Sequence, residues 1–287
     1  MKLTQPQILT SSASGCRVSV IIPTCESAGH IGRCLQSLNE QTRHVDEIIV
    51  VDAFSRDGTR RIASQLGAKI VLAHGTQAAA RNAGLANSNG DYVLFLDSDQ
   101  KLEGNVVEDS VSRCVRDGAD AVKIPELFVG INYWGRCSAL WKNSMVKAWG
   151  PGGGIPRFYT RRLLLQSSGY NGSLRFWEDL ELYDRIRPSS GWRQAWCRGH
   201  VIHYESASLR DVVSKYISYG RSIATFRSSS SNRPYRSTLK LTLHTLLHLL
   251  RNPGQSPLIF FGCLVQVFLK GACAALGFLA EPRRREN

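Results

Sequence analysis

The sequence predicts an α/β fold, a mainly parallel sheet flanked by helices, and three observations carry the prediction. Short apolar runs stop at polar or acidic residues: VSVIIP at Val18–Pro23, IIVV within Asp46–Asp52, and VLFL within Asp91–Asp99. Runs of that length read as buried parallel strands. Strand and helix patterns alternate four times, at about 20 to 25 residues per unit. Finally, 287 residues suffice for one large domain of this kind plus an appendage.

Taken in order, the first strand is Val18–Pro23, ended by a proline that cannot donate to a ladder. Thr24, Cys25, Glu26 and Ser27 follow at its top, then a helix with apolar positions at Ile31, Leu35 and Leu38. The second strand spans Asp46–Asp52, and Asp57 or Thr59 is placed to cap the next helix. Ala68–Ala73 reads as a third strand, and Thr76–Ala86 as an alanine-rich helix carrying Arg81. The fourth strand runs into Asp97-Ser98-Asp99. Beyond it, Asp120–Val129 reads as a further strand, and a helix is expected to begin near Asp179 with Leu180, Leu182 and Ile186 packed. His200–Glu205 has the alternating character of a late strand.

The chemistry gathers at strand ends, where an open α/β sheet binds its ligand. Side chains two apart on an extended segment point the same way, so Asp97 and Asp99 face one point and repel unless a cation lies between them. A hard divalent ion that recruits phosphate oxygens suits them; a solvated acidic turn is the plain alternative. Thr24, Glu26 and Asp52 lie at the ends of the first two strands, and Arg81 on the intervening helix. Such a ring suits a nucleotide base, its ribose and a metal-held diphosphate. No G-x-G-x-x-G follows the first strand, and no G-x-x-x-x-G-K-[ST] occurs. An ordinary dinucleotide dehydrogenase and a P-loop phosphotransferase are therefore disfavoured.

Four motifs together, VSVIIPTCES, IIVVDAFSRDGT, AAARNAGLANSNGDYVLFLDSD and FWEDLELYDRI, resemble a family-2 glycosyltransferase of the GT-A (Rossmann-like) fold. The resemblance covers about residues 17–205 and rests on the order and spacing of the four. It implies that Pro23, Thr24, Glu26 and Asp52 cradle the nucleoside and that Arg81 approaches the base. It places Asp97 near ribose and metal, and makes Asp99 a ligand of Mn²⁺ or Mg²⁺ on the diphosphate. Glu178-Asp179 matches the catalytic-base motif, with Asp179 as the base; His203 falls where relatives often place a histidine near metal or diphosphate. Two departures, Cys25 and Ala53-Phe54, touch the nucleoside pocket.

The net charge of +13 calls for an anionic partner. Between Ala207 and Arg251 eight basic residues face Asp211 alone, so over half the net charge sits there. Leu239–Leu250 is too short to span a bilayer; Leu258–Ala280 is long enough. Yet Gly262, Gln266, Lys270, Cys273 and Gly277 give the latter one small or polar face, and Arg251 and Arg283–Arg285 make both flanks basic. Two helices in the cytoplasmic membrane interface, or a shallow hairpin, fit this better than a single span. The adjacent apolar segments favour an anionic membrane over nucleic acid as the partner of residues 207–287.

Eight cysteines without a C-x-x-C pair suggest neither a zinc framework nor a disulfide scaffold. Cys25, Cys34 and Cys114 fall in predicted core elements, and reduced thiols in the cytosol are expected. Met1–Gly15 is polar and lacks the apolar run of a signal peptide. Trp134, Trp141 and Trp149, interleaved with Arg136, Lys142 and Lys147, are read as packing before sugar stacking. Gly150–Gly154 is either a mobile loop over a donor or a connector.

The expected organisation is a polar tail (1–16), a transferase domain (17–206, with a nucleotide-binding half 17–100 and an acceptor half 101–206) and a basic, helical membrane-associating region (207–287). The expected activity is metal-dependent, inverting transfer of a sugar from a nucleotide-diphosphate donor to a glycan or polyprenyl-linked acceptor. Its rivals are a polyprenyl-phosphate sugar synthase and a non-catalytic adaptor that binds nucleotide or lipid.

Overall fold

The structure is a computed structural model that describes residues 15–149, 154–187, 191–205, 208–229, 234–252 and 256–280. Its chain forms two compact units that interleave along the sequence. One holds residues up to 125 with 156–170 and 189–201; the other holds 126–155, 171–188 and 202–287.

The first unit is built on a seven-stranded sheet of order β3-β2-β1-β4-β8-β6-β9. Its strands are β1 (Val18–Thr24), β2 (Glu47–Asp52), β3 (Lys69–Leu72), β4 (Tyr92–Phe95), β6 (Ala121–Lys123), β8 (Phe158–Thr160) and β9 (Gln194–Trp196). Pairings β2–β3, β1–β2, β1–β4 and β6–β9 are parallel; β8 runs antiparallel between β4 and β6. The mainly parallel α/β prediction holds. Val18, Val20, Ile21 and Ile22 of β1 are all fully buried, as expected of a strand covered on both faces.

Helix α1 (Ile31–Asn39) buries Ile31, Cys34, Leu35 and Leu38 at i, i+3, i+4, i+7. Helix α2 (Thr59–Gln65) follows β2; its N-cap is Gly58, with no side-chain cap, in place of the expected Asp57 or Thr59, and Asp57 accepts the Thr59 N–H at 3.0 Å from one residue earlier. Helix α3 (Gln77–Ala86) starts at Thr76, whose hydroxyl accepts the Ala79 N–H. It lies so close to β1 that a Cβ at Gly84 would sit 2.3 Å from Ile21 Cγ2. Helix α4 (Val106–Asp117) ends at Gly118 in the left-handed conformation, and α5 (Tyr133–Trp149) belongs to the second unit.

Three further expectations need correction. β1 runs one residue past Pro23, because Thr24 pairs with Asp52 and its carbonyl accepts the Ala53 N–H. Asp120–Val129 is two strands, β6 and β7 (Glu126–Gly130), interrupted at Ile124-Pro125, where proline removes a ladder donor. Cys34 and Cys114 are buried, but Cys25 is exposed just past the sheet; all eight cysteines are free thiols.

The second unit also carries β10 (Val201–Glu205, from Ile202 onward), α7 (Glu178–Ile186), α8 (Leu209–Ser229), α9 (Pro234–Arg251) and α10 (Pro257–Ala280). Trp134 and Trp141 pack with Cys137, Leu249 and Cys263, the packing reading. α10 is the one helix among the described residues long and apolar enough to cross a membrane. Gly150–Gly153, Arg283–Arg285 and the Trp149 side chain lie outside the described residues.

Candidate active site

In the sheet of the first unit the chain moves outward from β1 through β2 to β3, then returns to lay β4 on the other side of β1. The strand order therefore reverses between β1 and β4, the position at which open α/β sheets bind ligands. Thr24 and the loop after it end β1 there; Asp97–Asp99 follow β4. Ser27 Oγ lies 3.0 Å from Ser98 Oγ, and His30 Nε2 lies 3.2 Å from the same hydroxyl, tying the two loops together.

Asp52 ends β2 with no exposed surface. Its carboxylate accepts from Thr24 Oγ1 (3.1 Å), Ser55 Oγ (2.6 Å) and the Ser55 N–H (2.8 Å), so a buried charge is balanced by three donors. Glu26 takes a positive φ of 49°; its N–H donates to Ser55 Oγ and its carboxylate accepts from the Arg56 N–H, both at 2.8 Å. Asp57 accepts from Ala28 N–H as well as from the Thr59 hydroxyl, and these bonds hold its carboxyl below the usual range. Pro23 is half-buried beside them.

Past Asp52, Phe54 has φ 58°, a strained conformation for a bulky residue. Its ring stacks on His74 with centroids 3.9 Å apart and planes inclined by 14°, yet Phe54 stays 42% exposed. A half-open aromatic face thus stands beside the β2 end.

Asp97 is closely held. Oδ1 accepts from Gln77 Nε2 (2.9 Å) and Arg81 Nη2 (3.0 Å); Oδ2 accepts from Gln100 Nε2 (3.1 Å), with Arg157 Nη1 3.5 Å away. Arg81 is buried, its guanidinium 5.3 Å from the Tyr170 ring centroid. Asp99 is half-buried. Both aspartates act on Cys34, whose thiol is pushed well above its usual range by burial first, then by the charges of Asp97 and Asp99. Asp97 is already balanced by two guanidinium groups, those of Arg81 and Arg157. A hard divalent ion fits this donor set if most of its ligands are phosphate oxygens and water, the habit of Mg²⁺. Among the described residues no group of three His, Cys, Asp or Glu could hold a metal alone.

In the second unit, Glu178 and Asp179 open α7, as expected, where the helix dipole favours acids. Glu178 is buried and Asp179 half-buried, with the Leu180 N–H donating to Asp179 Oδ1 at 2.8 Å. Leu182 and Ile186 are buried; Leu180 is only half so. The preceding Trp177 has φ 60°, and its ring packs on Tyr219 and Phe226 of α8, while Phe176 meets Tyr219 at 4.1 Å.

His203 is flanked on β10 and β7 by Glu205 (3.7 Å) and Glu126 (4.0 Å) and packs on Phe128. Burial tends to raise the Glu205 carboxyl, but the Lys142 ammonium at 2.5 Å outweighs it and holds the group below its usual range. In the first unit, His200 is pinned through its N–H and ring to Glu103.

Residues 19–193, more than half of the chain, match the family model described as "Glycosyl transferase family 2". The chain belongs to glycosyl transferase family 2. Relatives of this family-2 chain include Glycosyltransferase AglE of Haloferax volcanii, 37% identical over 114 residues, 37% of this chain and 38% of the relative. Succinoglycan biosynthesis protein ExoA of Rhizobium meliloti is 26% identical over 238 residues, 74% of this chain and 69% of the relative. The chain spans only 16% to 38% of the length of the first three curated relatives.

Among solved structures, the mannosyltransferase PcManGT from Pyrobaculum calidifontis, in complex with GDP-Man and Mn²⁺, matches with a TM-score of 0.58. It is 19% identical, over 92% of this chain and 87% of that one. S. aureus TarS 1–349 in complex with UDP-GlcNAc matches with 0.54 and 18% identity, over 82% and 73%. At these identities the likeness is one of fold, and the fold is GT-A.

Several participants escaped the sequence reading of this family-2 chain: Ser98, His30, Gln77, Gln100 and Arg157 around Asp97, and Tyr219 and Phe226 behind Trp177. Ser98 sat inside the motif and could have been found. Gln100, three residues from Asp97, could have been found as well; the others lie 20 or more residues from their partners, and nothing in their local pattern marks them.

Proposed function

We propose that this chain transfers a sugar, with inversion, from a nucleoside-diphosphate donor to a lipid-linked acceptor at the cytoplasmic membrane surface. The observation that carries the reading is the ordered set of polar groups at the switch point: Thr24 and Glu26 after β1, Asp52 after β2, and Arg81-held Asp97 with Asp99 after β4. Binding of nucleotide sugars by neighbours of the same fold supports it.

In this reading Pro23, Thr24, Glu26 and Asp52 receive the nucleoside, and Arg81 reaches toward the base from its seat on Asp97. Asp97 orients ribose and arginine together. Asp99 holds the divalent ion, Mn²⁺ or Mg²⁺, with His203 as a second candidate. Bound there, the ion supplies positive charge against the departing diphosphate. The acceptor oxygen attacks the anomeric carbon and forms the new C–O bond as the bond to the β-phosphate oxygen breaks. That bonding pair leaves with the nucleoside diphosphate. Asp179 takes the acceptor proton, and Glu178 supports it from its buried position. A single displacement from the opposite face inverts the anomeric configuration.

The acceptor and location rest on the basic, apolar tail and on the glycan-biosynthesis relative. Purified protein with Mn²⁺ is to be screened against UDP-, GDP- and dTDP-sugars by thermal shift and donor loss. One donor is expected to stabilise the protein and be consumed. The Asp179→Asn variant should still bind it, while kcat falls by about 10²- to 10⁴-fold. Unchanged turnover by Asp179→Asn would remove the general base and favour a phosphate acceptor; no donor bound or consumed would favour an adaptor.

A further inference from the structure

α10 is built inside out. Its buried residues are Gly262, Cys263, Gln266, Lys270, Cys273 and Gly277, the small and polar set. Gln266 Nε2 donates to the Trp134 carbonyl at 2.9 Å, and Lys270 Nζ to Ser138 Oγ at 3.4 Å, both on α5. Farther along, α10 touches α8 backbone to backbone. A Cβ at Gly277 would sit 2.1 Å from the Ile217 carbonyl oxygen, and one at Gly220 2.1 Å from that of Ala274. The opposite face presents Leu258, Phe261, Val265, Phe268, Leu276 and Leu279, with Phe268 80% and Leu279 77% exposed. Helical spacing makes these one stripe from end to end, about 32 Å long at 1.5 Å per residue. A water-facing helix shows the reverse distribution.

We infer that α10 docks side-on into a lipid bilayer, lying in the plane of the interface with this stripe in the acyl region, and that it does not cross. The inference takes the membrane location from the proposed function and nothing from its chemistry. Crossing is opposed by what α10 is fastened to. α8 exposes Arg210, Lys215 and Arg221, and α5 exposes Arg136 and Lys147; a crossing α10 would draw these charges into hydrocarbon, where charges are costly. Lying flat leaves them on the water side. α9 adds Leu243, Leu247 and Leu250, exposed at helical spacing.

Charge selects lipid over a second copy of the chain. Arg251 is exposed six residues before α10, and in the sequence Arg283–Arg285 come two residues beyond its end, after Glu281-Pro282, so the sequence flanking the helix is net basic on both sides. Anionic head groups answer both ends at once. A second copy laid on the same stripe would meet arginine with arginine, in a chain already at +13.

The test is flotation of the purified full chain with vesicles of phosphatidylglycerol and phosphatidylcholine, beside the Phe268→Asp/Leu276→Asp double variant. Both positions are exposed, so the variant should keep the wild-type circular dichroism, melting curve and nucleotide-sugar thermal shift. Wild type should float with the vesicles, and the variant should lose at least about tenfold in partition. A carboxy-terminal tag on vesicle-bound protein should be removed completely by protease added outside. Wild type left in solution, an unchanged partition of the variant, or a protected tag each overturns the inference. A vesicle-free dimer that the double substitution abolishes, in a protein that does not float, would assign the stripe to a second copy. Donor binding without vesicles tests the catalytic reading separately.

Discussion

Replacing Lys270 by methionine should stabilise the protein, by an amount that depends on pH in a defined way. Lys270 is 6% exposed on the buried face of α10. Burial, with repulsion from Lys142 next, pushes its ammonium down to about 8 from the ordinary 10.5; Glu205 and Cys263 oppose the fall, and Lys215 adds to it. The folded state therefore resists the proton that the unfolded chain accepts. Below pH 8 the group is charged in both states and the full cost is present; it fades as pH rises from about 8 to 10.5. At ~1.4 kcal/mol per tenfold change in proton affinity, the cost is about 3 kcal/mol. Methionine keeps most of the methylene packing but loses the bond to Ser138, so the net gain at pH 7 should be about 1 to 3 kcal/mol. Urea unfolding of both proteins at pH 7, 8, 9 and 10 measures the difference. A Lys270→Met protein less stable than wild type at pH 7, or a gap constant from pH 7 to 10, would refute the reasoning.

Asp52→Asn keeps the shape of the side chain but turns an amide donor toward Thr24, Ser55 and the Arg60 guanidinium, whose Nε lies 3.7 Å from Asp52 Oδ2. A loss of about 2 to 3 kcal/mol in unfolding free energy is expected, with weaker donor binding by calorimetry. Phe54→Ala should weaken donor-nucleotide affinity by about tenfold or more, since base–aromatic stacking contributes roughly 1 to 3 kcal/mol. Phe54→Tyr should restore it, and titration with free nucleoside diphosphates reads both.

The parallel half of the sheet was legible because β1, β2 and β4 are short apolar runs that stop at polar or acidic residues, Thr24, Asp52 and Asp97. β6, β8 and β9 are three residues each, too short to show a period, and they form because neighbouring strands leave edges to fill. The candidate site was visible as residue types at strand ends. Its electrostatics were not: that Asp97 answers to Arg81, Gln77 and Arg157 follows from the approach of separate segments of the chain. The polar stripe of α10 was visible as well. That it faces the protein and leaves Phe261 and Phe268 outside depends on α5 and α8, whose positions no local pattern carries.

The insertion of β8 between β4 and β6 has a consequence for synthesis. As the chain leaves the ribosome, β1 to β4 can pair at once, but the far edge of β4 must wait for Phe158–Thr160, about 60 residues later. At about 5 to 20 residues per second that is several seconds. Through that interval Tyr92–Phe95 presents an apolar, unpaired edge, and β6 has emerged without the strand that will join it to the sheet. The nascent half-sheet is then most open to strand pairing with other chains, and most in need of a chaperone.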